Sequence, residues 1–164
     1  MEKDVDTQST YYNTPRGKLQ AAAACYNEFK GMSFMIEVAA AILRDPQGRI
    51  LICRRGKGGN CAGLWEFPGG KRERGETMKE CLVRECREEL EIDIAIDELY
   101  SEFTWAYPDV EIHFYFFNAR IRDGHLKMDV HTAMKWVFCD ELADYRFCPA
   151  DADLVARLVK DGKR

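Results

Sequence analysis

Glu85, Glu88 and Glu89 lie three and four residues apart in a stretch, 77–90, whose pattern predicts a helix. That spacing puts three carboxylates on one helix face. Like charges so placed repel, and a helix shaped for stability alone would mix signs there. The chemistry that suits such a face is oxygen coordination of a small divalent cation, Mg2+ or Mn2+. The alternative is a solvated face neutralised by Arg72, Arg74, Arg84 and Arg87. What stands in front of the helix favours the cation. Pro68-Gly69-Gly70 lets main chain come close and offers a carbonyl or amide to a metal or a phosphate. Leu82, Cys86 and Leu90 form an adjoining apolar stripe.

Read from Gly70, the chain runs G-x5-E-x7-R-E-C-x-E-E-x-E-I, which fixes Gly70, Glu76, Arg84, Glu85, Glu88, Glu89 and Ile92. Chance would produce the six charged or glycine positions on the order of once in ~10⁴ such chains. The pattern resembles the Nudix box, G-x5-E-x7-R-E-U-x-E-E-x-G-U, where U is a bulky apolar residue. "GLWEFPGGK" (63–71) resembles the lead-in of the MutT-like branch, and "PADADLV" (149–155) the start of its final helix. The resemblance covers roughly residues 34–160. It implies an α/β (α+β) fold, a Nudix-type α/β/α sandwich with a mixed β-sheet between helices. It also implies Mg2+-dependent hydrolysis of a nucleoside diphosphate linked to another group. The leading expectation is a nucleoside triphosphate pyrophosphohydrolase that yields a monophosphate and pyrophosphate in nucleotide-pool sanitation. Its substrate would be an oxidised purine dNTP such as 8-oxo-dGTP, or a (d)CTP-type nucleotide. The alternatives are another Nudix specificity (ADP-ribose, dinucleoside polyphosphates) and a non-catalytic Nudix binding domain. Non-catalytic domains usually lose box glutamates, and all four are present here.

Residue by residue, the resemblance implies that Glu85, Glu88, Glu89 and the Gly69 carbonyl hold Mg2+, with Mn2+ as a substitute. The implied catalytic set is Glu85, Arg84, Glu88 and Glu76, with Glu85 favoured as base and Arg84 orienting Glu76. Implied substrate contacts are Arg55, Phe67, Gly70 and Asp151. Three of these have plainer readings beside the functional one: Arg55 as a surface strand-end residue, Phe67 as core, Asp151 as a helix N-cap. An ionised Asp151 would only accept hydrogen bonds, which suits the cytosine amino group or guanine N1–H and N2–H. The chain also departs from the pattern. Glu91 replaces the box glycine, and positive φ would cost a Glu about 1 kcal/mol, so an altered helix end is expected. Cys86 for the first U is a mild change, since Cys behaves as a small hydrophobe. Val130-His131 stands where MutT-like chains often carry Glu-His, which leaves Asp129 as the stand-in acid.

These residues need elements to position them. "FMIEVAAAIL" reads as a strand, "DPQGR" as a turn and "ILICRR" as a second strand, a hairpin-like pair. A glycine loop, "GKGGNCAG", and a short strand, "LWEFPGG", lead to the acidic helix. Two strands then flank a Tyr-Pro-Asp turn, "KWVFCDEL" gives a strand and turn, and "PADADLVARLVK" a last helix. Asp151 reads as its N-cap, with Leu154, Val155, Leu158 and Val159 on its apolar face. Trp65 and Trp105 read as core. Residues 1–33 are polar and broken by Pro15 and Gly17, an N-terminal extension to a Nudix domain at 34–164.

The whole chain sets the frame. Its 164 residues suit one domain, and 46% apolar with 32% charged residues suits an ordinary globular one. A net charge of −4 argues against a nucleic-acid polymer, leaving a small nucleotide as partner. No 18-residue apolar run occurs, so no membrane association is expected, and the acidic N-terminus is unlike a signal peptide. The seven cysteines, odd in number and without C-x-x-C, read as free, mostly buried thiols of a reducing compartment. A cytoplasmic monomer or homodimer is the expectation.

Overall fold

The computed structural model describes residues 35–58, 61–107 and 110–162. The extension expected at 1–33 lies outside the described residues. In chain order the elements are β1 (Ile36–Leu43), β2 (Ile50–Arg54), β3 (Trp65–Glu66), β4 (Gly69–Lys71), α1 (Met78–Leu90), β5 (Ile92–Tyr107), β6 (Val110–Gly124), β7 (Ala133–Val137) and α2 (Ala152–Asp161). Short 3-10 turns span Cys139–Asp144 and Pro149–Asp151.

The expected mixed sheet is present, in the order β4-β1-β6-β5, with β1 parallel to β6 and the other neighbours antiparallel. A second, antiparallel sheet runs β3-β2-β7. The expected β1–β2 hairpin is limited to its turn, where Arg44 and Ile50 form a single antiparallel bridge. The turn between them is as predicted: the Asp45 carboxylate accepts from the backbone N–H groups of Gln47 (3.0 Å) and Arg49 (2.8 Å). Past it the two strands enter different sheets, because each is central and already paired on both edges. "LWEFPGG" likewise divides: Trp65–Glu66 joins the second sheet and Gly69–Lys71 the first. Phe67 and Pro68 carry the chain between them, and the Ala41 N–H donates to the Pro68 carbonyl at 2.8 Å.

Alternation along β1 and β2 builds two cores. Ala39, Ala41, Leu43, Leu51 and Cys53 pack with Cys81, Leu82, Cys86 and Leu90 of α1. Ala40, Ile42, Ile50 and Ile52 pack with Phe116, Leu142 and Leu154, Val155 and Leu158 of α2. One helix therefore covers each core. Among the described residues no helix is long and apolar enough to cross a membrane. Cys53, Cys81, Cys86 and Cys148 are buried free thiols, and Cys61 and Cys139 are free and half-buried.

α1 starts with a capping box: the Thr77 hydroxyl accepts from the Glu80 N–H (3.2 Å) and the Glu80 carboxylate accepts from the Thr77 N–H (2.8 Å). Its end corrects one expectation. Glu91 takes the left-handed conformation (φ 55°, ψ 37°) that the box glycine would take, so the helix end is retained. A 2.6 Å ion pair from Lys127 to the Glu91 carboxylate accompanies the strained backbone. The N-cap reading of Asp151 is also overturned. Its backbone is already helical (φ −85°, ψ −10°) and its side chain makes no capping bond. A cap needs an extended backbone to turn its oxygen onto the first N–H groups. The 3-10 turn at Pro149–Asp151 leads into α2, and the Asp151 side chain is buried instead.

Candidate active site

β4 and α1 meet at Gly70. A Cβ there would lie 2.3 Å from the Glu85 carboxyl carbon, so the Glu85 carboxylate rests directly on the glycine backbone. Gly69 faces the other way, where a Cβ would lie 2.1 Å from the Ala39 carbonyl oxygen of β1. The two glycines thus close-pack the strand on β1 and the carboxylate on the strand.

Arg84 organises one half of the acidic face. It donates to both Glu76 oxygens (2.8 and 3.1 Å), to Glu85 Oε1 (2.7 Å) and to the Lys71 carbonyl (3.1 Å), and reaches Glu88 at 3.4 Å. These charge-assisted bonds hold the Glu76 carboxyl well down, at about 2. Burial pushes the Glu85 carboxyl up, against the pull of Arg84. Arg84 is bonded most fully to Glu76, with one nitrogen on each of its oxygens.

Glu89 is held differently. It is half-buried, and the burial raises its carboxyl to about 7, countered in part by His131. His131 Nε2 lies 3.8 Å from Glu89 Oε2 and 3.5 Å from Glu66 Oε1, in a side chain only 3% exposed. Glu66 in turn accepts from Arg55 Nη1 at 2.5 Å. β2 assembles this group. Cys53 pairs with Glu66 on one side, the Arg54 carbonyl accepts from the Thr132 N–H on the other (2.9 Å), and Arg55 follows at the strand's end.

Asp151 lies close enough to this group to feel both Glu66 and Arg55. Burial is the main cause that lifts its carboxyl to about 8, with Glu66 adding and Arg55 subtracting. Tyr107, at the end of β5, senses the Asp151 and Arg55 charges as well as Cys61 and Cys148, and burial lifts its phenol to about 12. Burial and the nearby Arg55 charge lower the Lys71 ammonium. The Arg55 charge is thus felt by Lys71, Asp151 and Tyr107.

The structure brings Glu76, Arg84, Glu85 and Glu88 into one network, and links Arg55 through Glu66 and His131 to Glu89 in a second; Asp151 feels the Glu66 and Arg55 charges without a bond to either. Phe67 sits in the second core, 4% exposed, stacked on Phe147 (5.4 Å) with its edge towards Phe116 (6.0 Å). Asp129, the expected stand-in acid, is exposed, and its charge acts on Lys127. The side chain that enters from its segment is His131. Glu66, Lys71 and Tyr107 were not singled out from sequence. Glu66 stood inside the quoted "LWEFPGG", and His131 was noted only as the histidine of the Val130-His131 pair; neither spacing announces a role beside Glu89.

The donor set bears on the metal. Among the described residues no three His, Cys, Asp or Glu side chains are already gathered as an ion cage. Arg84 draws Glu85 and Glu88 to itself. Yet the donors are all oxygens, Glu85 lies on bare glycine backbone, and Glu89 is half-buried with no arginine among the described residues bonded to it. That combination fits a hard divalent cation.

The NUDIX domain family model matches residues 39–157. The chain is 37% identical to the CTP pyrophosphohydrolase of Escherichia coli (strain K12), over 74% of this chain and 89% of that protein. It is 36% identical to the 8-oxo-dGTP diphosphatase of Haemophilus influenzae, over 77% and 93%. The solution structure of the E. coli ORF135 protein superposes with a TM-score of 0.68 at 35% identity, covering 78% of this chain and 91% of that one. With its box glutamates intact on α1 and in the loop before it, the chain belongs to the NUDIX family, in its MutT-like branch, and is a hydrolase of nucleotide pyrophosphate bonds.

Proposed function

We propose that the protein hydrolyses a nucleoside triphosphate to a monophosphate and pyrophosphate with Mg2+, in the cytoplasm, on free nucleotides. The observation that carries this is the Glu85 carboxylate lying on Gly70, with Glu88 and Glu89 on the same face of α1. Glu85, Glu88, Glu89 and the Gly69 carbonyl are the groups that would hold Mg2+, or Mn2+ in its place. Such an ion neutralises phosphate oxygens and makes a water molecule more acidic. The remaining work falls to the chain. Arg84 fixes Glu85 and Glu76, so that the reacting carboxylate keeps one orientation. Glu85 takes the water proton; burial raises its carboxyl above the ordinary value, the direction that makes it a stronger base. Arg55 and Lys71 provide positive charge for the phosphates or sugar.

Asp151 supports a cytosine base. A carboxyl that holds its proton to about pH 8 donates one hydrogen bond and accepts others. That matches cytosine N3 and its amino group together. The ionised form suits guanine N1–H and N2–H, and the relatives named for 8-oxo-dGTP keep the oxidised purine as the second reading. The test is kcat/KM for CTP, dCTP, dGTP, 8-oxo-dGTP and ADP-ribose with Mg2+, repeated on Asp151→Asn. A cytosine nucleotide leading, and the ranking changing in Asp151→Asn, support the reading. An 8-oxo-dGTP lead selects the second reading, and an ADP-ribose lead overturns both.

A further inference from the structure

Two basic side chains divide the acidic face, and only one belongs to the box. Arg84 bonds Glu76 and Glu85 and reaches Glu88. Glu89 has no bond to it; the side chain beside Glu89 is the His131 imidazole. His131 is unusual on two counts. Its Nδ1 is buried without a hydrogen-bond partner among the described residues, which costs free energy that packing alone would avoid. Its Nε2 lies between two carboxylates, at 3.5 Å from Glu66 and 3.8 Å from Glu89, longer than a settled hydrogen bond to either. Glu66 is meanwhile bound by Arg55, whose Nε is also buried without a partner. A continuous polar line thus runs Arg55–Glu66–His131–Glu89, from the nucleotide side to the carboxylate face, with slack at its centre.

We propose that His131 is a positioning residue that orients Glu89 for the divalent cation, and that through Glu66 it couples Glu89 to Arg55. The inference rests on the proposed metal role of Glu89. A ring held from one carboxylate orients the next, as outer-shell partners of metal ligands generally do. Movement of Arg55 towards a nucleotide frees Glu66, and the ring can then settle between its neighbours. Nucleotide and metal would therefore favour each other's binding, by equal factors in both directions.

The experiment is Mn2+ affinity of the metal-free full chain, by paramagnetic titration, for wild type, His131→Ala, His131→Gln and Glu66→Gln, alone and combined. Steady-state KM for nucleotide is measured at saturating metal. His131→Ala is expected to weaken Mn2+ binding about 10-fold or more, with KM rising by a smaller factor, that of the lost coupling, and His131→Gln recovering part of the loss. Glu66→Gln is expected to alter Mn2+ affinity in the wild-type background and not beside His131→Ala. An unchanged Mn2+ affinity in a cooperatively melting His131→Ala, or KM rising in step with the metal constant, overturns the positioning role. Equal Glu66→Gln effects in both backgrounds overturn the coupling. If His131→Ala does not melt cooperatively, His131→Gln carries the same comparison. Glu89→Gln separates the two claims: retained Mn2+ affinity there refutes the metal reading itself, whereas its loss beside a normal His131→Ala refutes only the inference.

Discussion

The two halves of one acidic helix face solve the same electrostatic problem in opposite ways. On the Arg84 side, Glu76, Glu85 and Glu88 share a guanidinium, and the Glu76 carboxyl is held down to about 2. On the His131 side, burial without a guanidinium bond raises Glu89 to about 7, and Asp151 nearby rises to about 8. The first half is satisfied within the chain and holds its geometry. The second is left short of positive charge and donors, the condition in which a ligand changes energy most. Rigidity and responsiveness are thus placed side by side on α1.

The largest expected effect breaks the rigid half. Gly70→Ala places a methyl 2.3 Å from the Glu85 carboxyl carbon, the far end of a flexible side chain, so the carboxylate must move. Pyrophosphate release should fall about 10²-fold, with the thermal midpoint little changed, because misplacing a reacting group by ~1 Å costs that much. Gly69→Ala meets the Ala39 backbone at 2.1 Å and should instead destabilise by about 1–3 kcal/mol, read by denaturant unfolding. Leu82→Ala tests the packing that aims the whole face: it is fully buried, and its loss should cost about 2–5 kcal/mol.

The comparison sharpens with pH. Asp151 and Glu89 keep their protons longer in the folded state than in the unfolded chain. Unfolding between pH 4 and about 8 therefore releases protons, and their contribution to stability falls as pH rises through that window. Asp151→Asn should flatten this decline in urea unfolding followed across pH. Glu76 has the opposite sign. Its contribution is complete above its ordinary value of 4.5 and is lost as pH falls towards about 2, so Glu76→Gln should remove part of the acid limb. This is the smallest effect, because Arg84 keeps two other carboxylate partners.

The rigid half was legible in the sequence and the responsive half largely was not. Helical spacing alone places Glu85, Glu88 and Glu89 on one face, and the box spacing pairs Arg84 with Glu76. Both are local or nearly so. Glu66, His131 and Arg55 meet only because β2 pairs with β3 on one edge and β7 on the other, and no periodicity within a segment encodes that. The same long-range pairing divided the expected β1–β2 hairpin between two sheets. Asp151 was misread as a cap because residue type suggested one, whereas the 3-10 turn before α2 set its backbone. Glu91 was misread because its glycine-like conformation is accompanied by Lys127, a partner thirty-six residues away.

The most direct test of the central claim is Mn2+ binding and Mg2+-dependent pyrophosphate release in Glu88→Gln and Glu89→Gln, each a change that keeps shape and removes charge. Both should lose metal affinity and at least about 10²-fold in turnover while retaining the wild-type thermal midpoint to within a few degrees. Undiminished Mn2+ affinity and pyrophosphate release in both variants would contradict the assignment of this face as the metal site.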